Sequence, residues 1–300
     1  MKFSHIGLGT VEIGLPYGIG VTALPSEQEA EHILKSAVEM GITYIDTARG
    51  YGVAEERIGK SGIGTIEGVV IGTKCAQFLK QEPELHGKEL EMRIREDIDA
   101  SRKHLNQESL QLVQFHNEHE DYTDFSEIIE ILQKLKDEHR VQHVGVSTRG
   151  EEAALAAIGT GFFETIQIAY SILDQRMAIN VLPRAQEKEI VVLNRSVLLR
   201  GALTPGRIHL HSDLAPLKKA ADKAEEIATA LGITLSELAI RFAASNPAIS
   251  TVLIGTINPQ HLESAIRAVK QGPLPQDIIT QCQQLGLTDP LQVDPAKWPK

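Results

Sequence analysis

Four side chains that can hold or move a proton close three short apolar runs in the first half of the chain. Asp46 and Tyr51 stand in GITYIDTARGYG, Lys74 ends VVIGTK and His116 ends LQLVQFH. The run before Asp46 holds Ile42, Tyr44 and Ile45, strand formers with no charge among them, so a carboxylate appears where an apolar strand gives out. A phenol titrates at about pH 10 when unperturbed; an ammonium beside it favours the phenolate, and a carboxylate keeps that ammonium charged in a partly dry site. An imidazole adds a hydrogen bond to a substrate oxygen. Together the four suit protonation of an oxygen on which negative charge develops, with the amine drawing the phenol towards neutrality. Singly, each has an ordinary explanation: Asp46 as a helix N-cap, Tyr51 as packing, Lys74 as a solvated charge, His116 as a polar group satisfied by backbone.

Bringing them together needs strands that end on one rim. Apolar runs recur at Ile6 to Thr10, Ile42 to Asp46, Val69 to Thr73, Leu110 to Phe115, Val141 to Ser147, Thr165 to Ala169, Ile190 to Asn194 and Ser250 to Ile254. Between them, Gln28 to Met40, Lys88 to Leu105, Phe125 to Glu138, Glu151 to Ile158, Ala178 to Glu187, Ala215 to Leu231 and Pro259 to Val269 carry apolar residues at helical spacing. Strand alternating with helix implies a parallel sheet, and eight such units in about 270 residues match a closed (β/α)8 TIM barrel, an α/β fold with its chemistry at the C-terminal strand ends. A doubly wound open sheet fits less well, because the lone Gly7-Leu8-Gly9 lies within a strand and lacks a third glycine. No linker interrupts residues 1–272, which read as one barrel domain. Residues 273–300 form a Pro-bounded tail with a short helix and the single tryptophan, Trp298, expected to dock on the barrel surface and not to cover its mouth.

Composition narrows the partners. The 300 residues are 42% hydrophobic with a formal charge of −10, which supports a large core and argues against nucleic acid, whose phosphates need a basic surface. The chain starts Met-Lys-Phe-Ser-His with no long apolar stretch, so no membrane span is expected and a cytoplasmic location is. Cys75 and Cys282 are far apart and fit neither a disulfide framework nor a thiolate metal site. HNEHED places His116 near His119 and Asp121, as a metal-dependent barrel hydrolase would need, but the first and eighth strands end in Thr10 and in Ile254 and Gly255, leaving too few further ligands; no metal is expected.

YIDTARGYGVAEERIG, VVIGTKC, QFHN and VGVS, in that order, resemble the motifs of the aldo-keto reductase superfamily from about Ile6 to Val269. The resemblance implies a catalytic tetrad of Asp46, Tyr51, Lys74 and His116 and a nicotinamide cofactor, NADP(H) with NAD(H) possible, extended across the barrel mouth. A small carbonyl or alcohol would be the substrate, with the protein a monomer or weak oligomer; a cofactor-binding regulatory subunit is the alternative on the same fold. Ser147 and Gln167 match positions that hold the nicotinamide carboxamide, and Thr148 stands where Asn is usual. RSVLLRGALTPG resembles the pyrophosphate-wrapping segment, with Ser196, Leu198 and Gly201 as donors and Arg200 adding charge. Arg195 replaces the usual stacking aromatic, as in a bacterial subgroup; a guanidinium plane can stack too, the other possibility being that it turns away to a carboxylate. After the last strand, LIGTINPQHLESAI offers Gly255, Thr256, Asn258 and His261 but has Ile257 where Arg is common and Ala265 where Asn is, so weak discrimination between the two cofactors is expected.

Overall fold

The computed structural model describes residues 1–18 and 22–299, so part of the loop at residues 16–24, which precedes the first long helix and would bear on substrate choice at the rim, lies outside the described residues. Eight parallel strands close into a barrel in chain order. The principal elements are β1 (Ile6–Gly9), α1 (Glu27–Glu39), β2 (Tyr44–Asp46), α2 (Ala54–Ser61), β3 (Val70–Cys75), α3 (Gly87–Leu105), β4 (Leu110–His116), α4 (Ser126–Asp137), β5 (Val141–Ser147) and α5 (Glu151–Thr160). They continue with β6 (Thr165–Ala169), α6 (Val181–Glu187), β7 (Val191–Arg195), α7 (Ala215–Ala230), α8 (Leu235–Ala244), β8 (Ile249–Gly255), α9 (Pro259–Lys270), α10 (Gln276–Gln283) and α11 (Pro290–Val293). The barrel reading of the sequence therefore holds.

Side chains alternate across each strand, and the inward set builds the site. Tyr44, Leu112, Leu193 and Leu253 fill the barrel interior as a cluster separate from the main core between strands and helices. Gly72 makes room for this plug, because a Cβ there would stand 2.2 Å from Tyr44 Oη. One pleat further along, Asp46 on β2, Lys74 on β3 and Gln114 on β4 lie above it, with Asp46 paired to Gly72 and Lys74 to Gln114 in register. Burying apolar side chains below and polar ones above fixes which end of the barrel is the reactive one.

Strand ends run past the expected limits on four strands. β3 continues to Cys75, β4 to His116, β7 to Arg195 and β8 to Gly255, because ladder pairs such as His116 with Ser147, Ala169 with Arg195 and Gly9 with Gly255 use backbone groups and ignore side-chain polarity. Two barrel helices, and the four-residue α11 of the tail, have no counterpart in the sequence reading. The inner face of α2 includes Glu55 and Arg57 beside Ala54 and Ile58, so charged residues break its apolar period. In α8 only Ser236, Glu237 and Arg241 are polar, too thin a stripe to announce a period, although Thr234 caps it by accepting from Glu237 N at 3.1 Å.

The tail packs on the barrel through α10, where Gln175 Nε2 donates to Cys282 O at 3.0 Å, and then crosses towards the C-terminal rim. Among the described residues no single helix is long and apolar enough to cross a membrane.

Candidate active site

Lys74 has no solvent exposure and makes three contacts through its ammonium. Nζ donates to Asp46 Oδ2 at 2.7 Å and Thr47 O at 2.8 Å, and lies 3.4 Å from Tyr51 Oη. The other carboxylate oxygen, Asp46 Oδ1, accepts from Gln167 Nε2 at 2.6 Å, Tyr44 Oη at 3.3 Å and Gln114 Nε2 at 3.4 Å. Asp46 is thus no helix cap; it is the counter-ion of a buried lysine. Tyr51 reaches this pair from the loop after β2, which packs backbone to backbone on the loop after β1. Gly52 takes φ +55°, and a Cβ on it would stand 2.2 Å from Gly14 O; one on Gly14 would stand 1.8 Å from Tyr51 O. The His116 ring meets Tyr51 edge-on, with centroids 6.3 Å apart.

Burial and charge set the protonation states. For Lys74, burial opposes the charge, but Asp46 and Tyr51 outweigh it and hold the ammonium above its ordinary pKa. Burial raises the Tyr51 phenol, Lys74 pulls it down, Asp46 pushes it up again, and it ends above its usual value. The expectation that Lys74 brings this phenol towards neutrality is therefore corrected: the Asp46 that secures the lysine also cancels part of its field, and the phenol is a neutral donor. Burial, aided by the nearby Lys74 charge, lowers His116 to about 3, so its imidazole is neutral. His116 Nδ1 is buried without a partner, while Nε2 lies 3.3 Å from Glu118 Oε1, which places the ring proton on Nε2.

Asp46, Tyr51 and His116 line a cavity of about 700 Å³ at the C-terminal barrel mouth, with Lys74 buried behind them. Every residue read as cofactor-binding except Thr148 lines it. Ser147 Oγ is 3.5 Å from Gln167 Oε1, and Thr148 lies just behind, its carbonyl accepting from Arg195 Nη2 at 3.1 Å. Arg195 Nη1 is 3.4 Å from Ser196 Oγ, and among the described residues Arg195 has no carboxylate partner, so it keeps to the cleft. Beyond it the chain takes positive φ at Ser196, Leu199, Arg200 and Gly201, a left-handed run costly for residues with a Cβ. Arg200 lies over the Tyr17 ring at 5.3 Å. On the β8 side, Thr256 Oγ1 accepts from Asn258 N and pairs with His261 Nδ1 at 2.9 Å, while Asn258 caps α9.

A profile described as "Aldo/keto reductase family" matches residues 5–286. The chain belongs to that family. Aldo-keto reductase YhdN of Bacillus subtilis is 29% identical over 285 residues, covering 88% of this chain and 84% of that protein. L-galactose dehydrogenase of Arabidopsis thaliana is 26% identical, covering 90% and 86%. The holo form of aldo-keto reductase AKR11C1 from Bacillus halodurans superposes with a TM-score of 0.76 at 24% identity over 95% of this chain and 96% of that one. As an aldo/keto reductase the protein is an NAD(P)-dependent oxidoreductase of small carbonyl and alcohol compounds.

The residues of this aldo/keto reductase fit a nicotinamide nucleotide. Buried polar atoms with no partner, Thr148 Oγ1 and Asn117 Nδ2, collect beside the strand ends, and the loop after β7 brings Arg195, Ser196 and Arg200, two cations and a hydroxyl, to the cavity as an anionic group needs. Neither the sequence reading of the rim nor the family motifs pointed to Glu12, Glu118 or Arg149, all of which line the cavity. Glu12 is raised to about 7 by burial. Glu118 and Arg149 each stand two residues beyond a strand end, a position that could have been scanned for charge. The tail is a second correction: Asp294, Pro295 and Ala296 line the mouth, because Arg149 forms an ion pair with Asp294 and Lys297 reaches Glu120 at 2.8 Å. Among the described residues no cluster of three His, Cys, Asp or Glu could hold a metal, and His119 Nε2 faces Leu79 O at 3.1 Å.

Proposed function

We propose that the protein interconverts a carbonyl and an alcohol with Tyr51 as the proton donor and acceptor. The observation that carries this is the fully buried Lys74 ammonium, 2.7 Å from Asp46 and 3.4 Å from the oxygen of Tyr51, which itself lines an open cavity. A charge buried without solvent is costly unless it is paired and used. Ser147, Thr148 and Gln167 would hold the nicotinamide end of the cofactor, Arg195, Ser196, Leu198, Arg200 and Gly201 the pyrophosphate, and Gly255, Thr256, Asn258 and His261 the adenosine end. When bound, the cofactor supplies or accepts a hydride at the carbonyl carbon. In reduction His116 Nε2–H donates to the carbonyl oxygen and orients it, Tyr51 Oη gives that oxygen its proton, and Lys74 stabilises the phenolate left behind until solvent reprotonates it. Oxidation of an alcohol uses the same groups in reverse.

Tyr51→Phe tests the reading. Loss of the phenol should cut kcat by about a thousandfold or more while cofactor affinity, measured by titration, changes by less than about threefold, since the lost contact belongs to the transition state. Activity within a few-fold of wild type would remove Tyr51 from the role.

A further inference from the structure

We propose that Glu118 selects substrates carrying a hydroxyl on the carbon next to the carbonyl, by accepting a hydrogen bond from that hydroxyl. This rests on the proposed roles of Tyr51 and His116. Glu118 follows β4 by two residues, lines the cavity and is only 15% exposed at its side chain. Four neighbours surround its carboxylate: His116 Nε2 at 3.3 Å, Lys80 Nζ at 3.4 Å, Arg149 Nη1 at 3.4 Å and Gln77 Nε2 at 3.5 Å. Charge-assisted bonds normally run at about 2.7–2.9 Å, so all four contacts are long; Lys80 and Arg149 bring their charges to Oε2, while Oε1 has only the neutral His116 and Gln77, and a hydroxyl at normal length there would be its shortest donor. Burial disfavours its charge, but the Lys80 and Arg149 charges favour it, and its pKa lies below the ordinary carboxylate value.

A carboxylate in this place is a liability for a plain aldehyde. It stands one hydrogen-bond length from the imidazole that holds the carbonyl oxygen, where negative charge develops during reduction, and like charges there oppose the reaction. A hydroxyl on the neighbouring carbon is one bond further along, within reach of a carboxylate beside the same imidazole, and a donor placed there would turn the repulsion into a charge-assisted bond. Lys80, Asn117, Arg149 and Asp294 add further polar groups to this side of the cavity, beside Pro295 and Ala296. If Glu118 served only to anchor Arg149, and through it the Asp294 segment, its loss would weaken every substrate alike.

The test compares DL-glyceraldehyde with propanal, which has the same carbon count and no hydroxyl, in wild type and Glu118→Gln. The expected result is a fall of about tenfold or more, about 1.4 kcal/mol, in the ratio of kcat/KM for glyceraldehyde over propanal. Glu118→Asp, which keeps the charge on a shorter arm, should retain more of the ratio than Gln does. An unchanged ratio, or an equal fall on both substrates, overturns the inference and leaves the proposed chemistry standing. A wild-type enzyme that turns over neither aldehyde with either cofactor overturns both.

Discussion

At the scale of single residues, the site is built around one charge that water never reaches. The Lys74 ammonium is tolerated because Asp46, Thr47 O and Tyr51 surround it, and the two members of the ion pair are not equivalent. Asp46 would keep Gln167, Tyr44 and Gln114 as donors if the lysine were lost, whereas Lys74 without its carboxylate keeps an uncompensated charge. Asp46→Asn is therefore expected to lower stability to urea by about 3 kcal/mol, and more than Lys74→Met does, although Lys74→Met is the more damaging to turnover. Equal destabilisation by the two would contradict this asymmetry. His116 makes a pH prediction. Its pKa of about 3 in the folded protein lies below the ordinary 6.5, so between those values the unfolded chain binds a proton that the folded one refuses. Stability contributed by the neutral ring is complete above 6.5 and is lost as pH falls through that window. Relative to His116→Gln, wild type should lose up to about 2 kcal/mol on going from about pH 7 to about pH 5; parallel unfolding curves at the two pH values would count against it.

At the scale of elements, two loops meet through glycines and thereby aim a side chain. Gly52 at φ +55° faces Gly14 O with no room for a Cβ, so Gly52→Ala must push the turn outwards and carry Tyr51 with it. The expected outcome is a fall in kcat/KM of about tenfold to a hundredfold with a lowered melting temperature, read by steady-state kinetics and thermal unfolding. How much was legible follows from the same physics. Strands announce themselves by apolar runs and amphipathic helices by their period, which is why all eight strands and seven helices were readable. Helix α2 was not, since Glu55 is buried where Thr73 Oγ1 donates to it at 2.6 Å, a contact that no local pattern encodes. Asp46, Tyr51, Lys74 and His116 were readable because strand ends converge in a barrel. Glu118 and Arg149 were not, because their partners, His116 and the Asp294 segment, include a stretch of tail at the far end of the chain.

At the scale of the whole molecule, the cleft grips an anion unevenly. The loop after β7 brings Arg195 and Arg200, whereas the β8 side offers Thr256, Ile257, Asn258 and His261 and no Arg or Lys. An extra phosphate on the adenosine ribose gains little there, so we expect NADPH and NADH to differ by less than about a hundredfold in kcat/KM, or about 2.7 kcal/mol. A thousandfold preference for NADPH, or an equivalent gap between titrated affinities, would mean that a cation elsewhere, such as Arg267, swings to that phosphate. The chain's last turn also provides an instrument. Trp298, the single indole in the protein, donates from Nε1 to Gln292 O at 2.9 Å and stands four residues beyond Asp294, which forms part of the mouth. Its fluorescence therefore has one origin and one address: a change in emission when a substrate that does not absorb in its band enters reports the surroundings of the tail, without labelling, and can be timed against hydride transfer followed separately by absorbance.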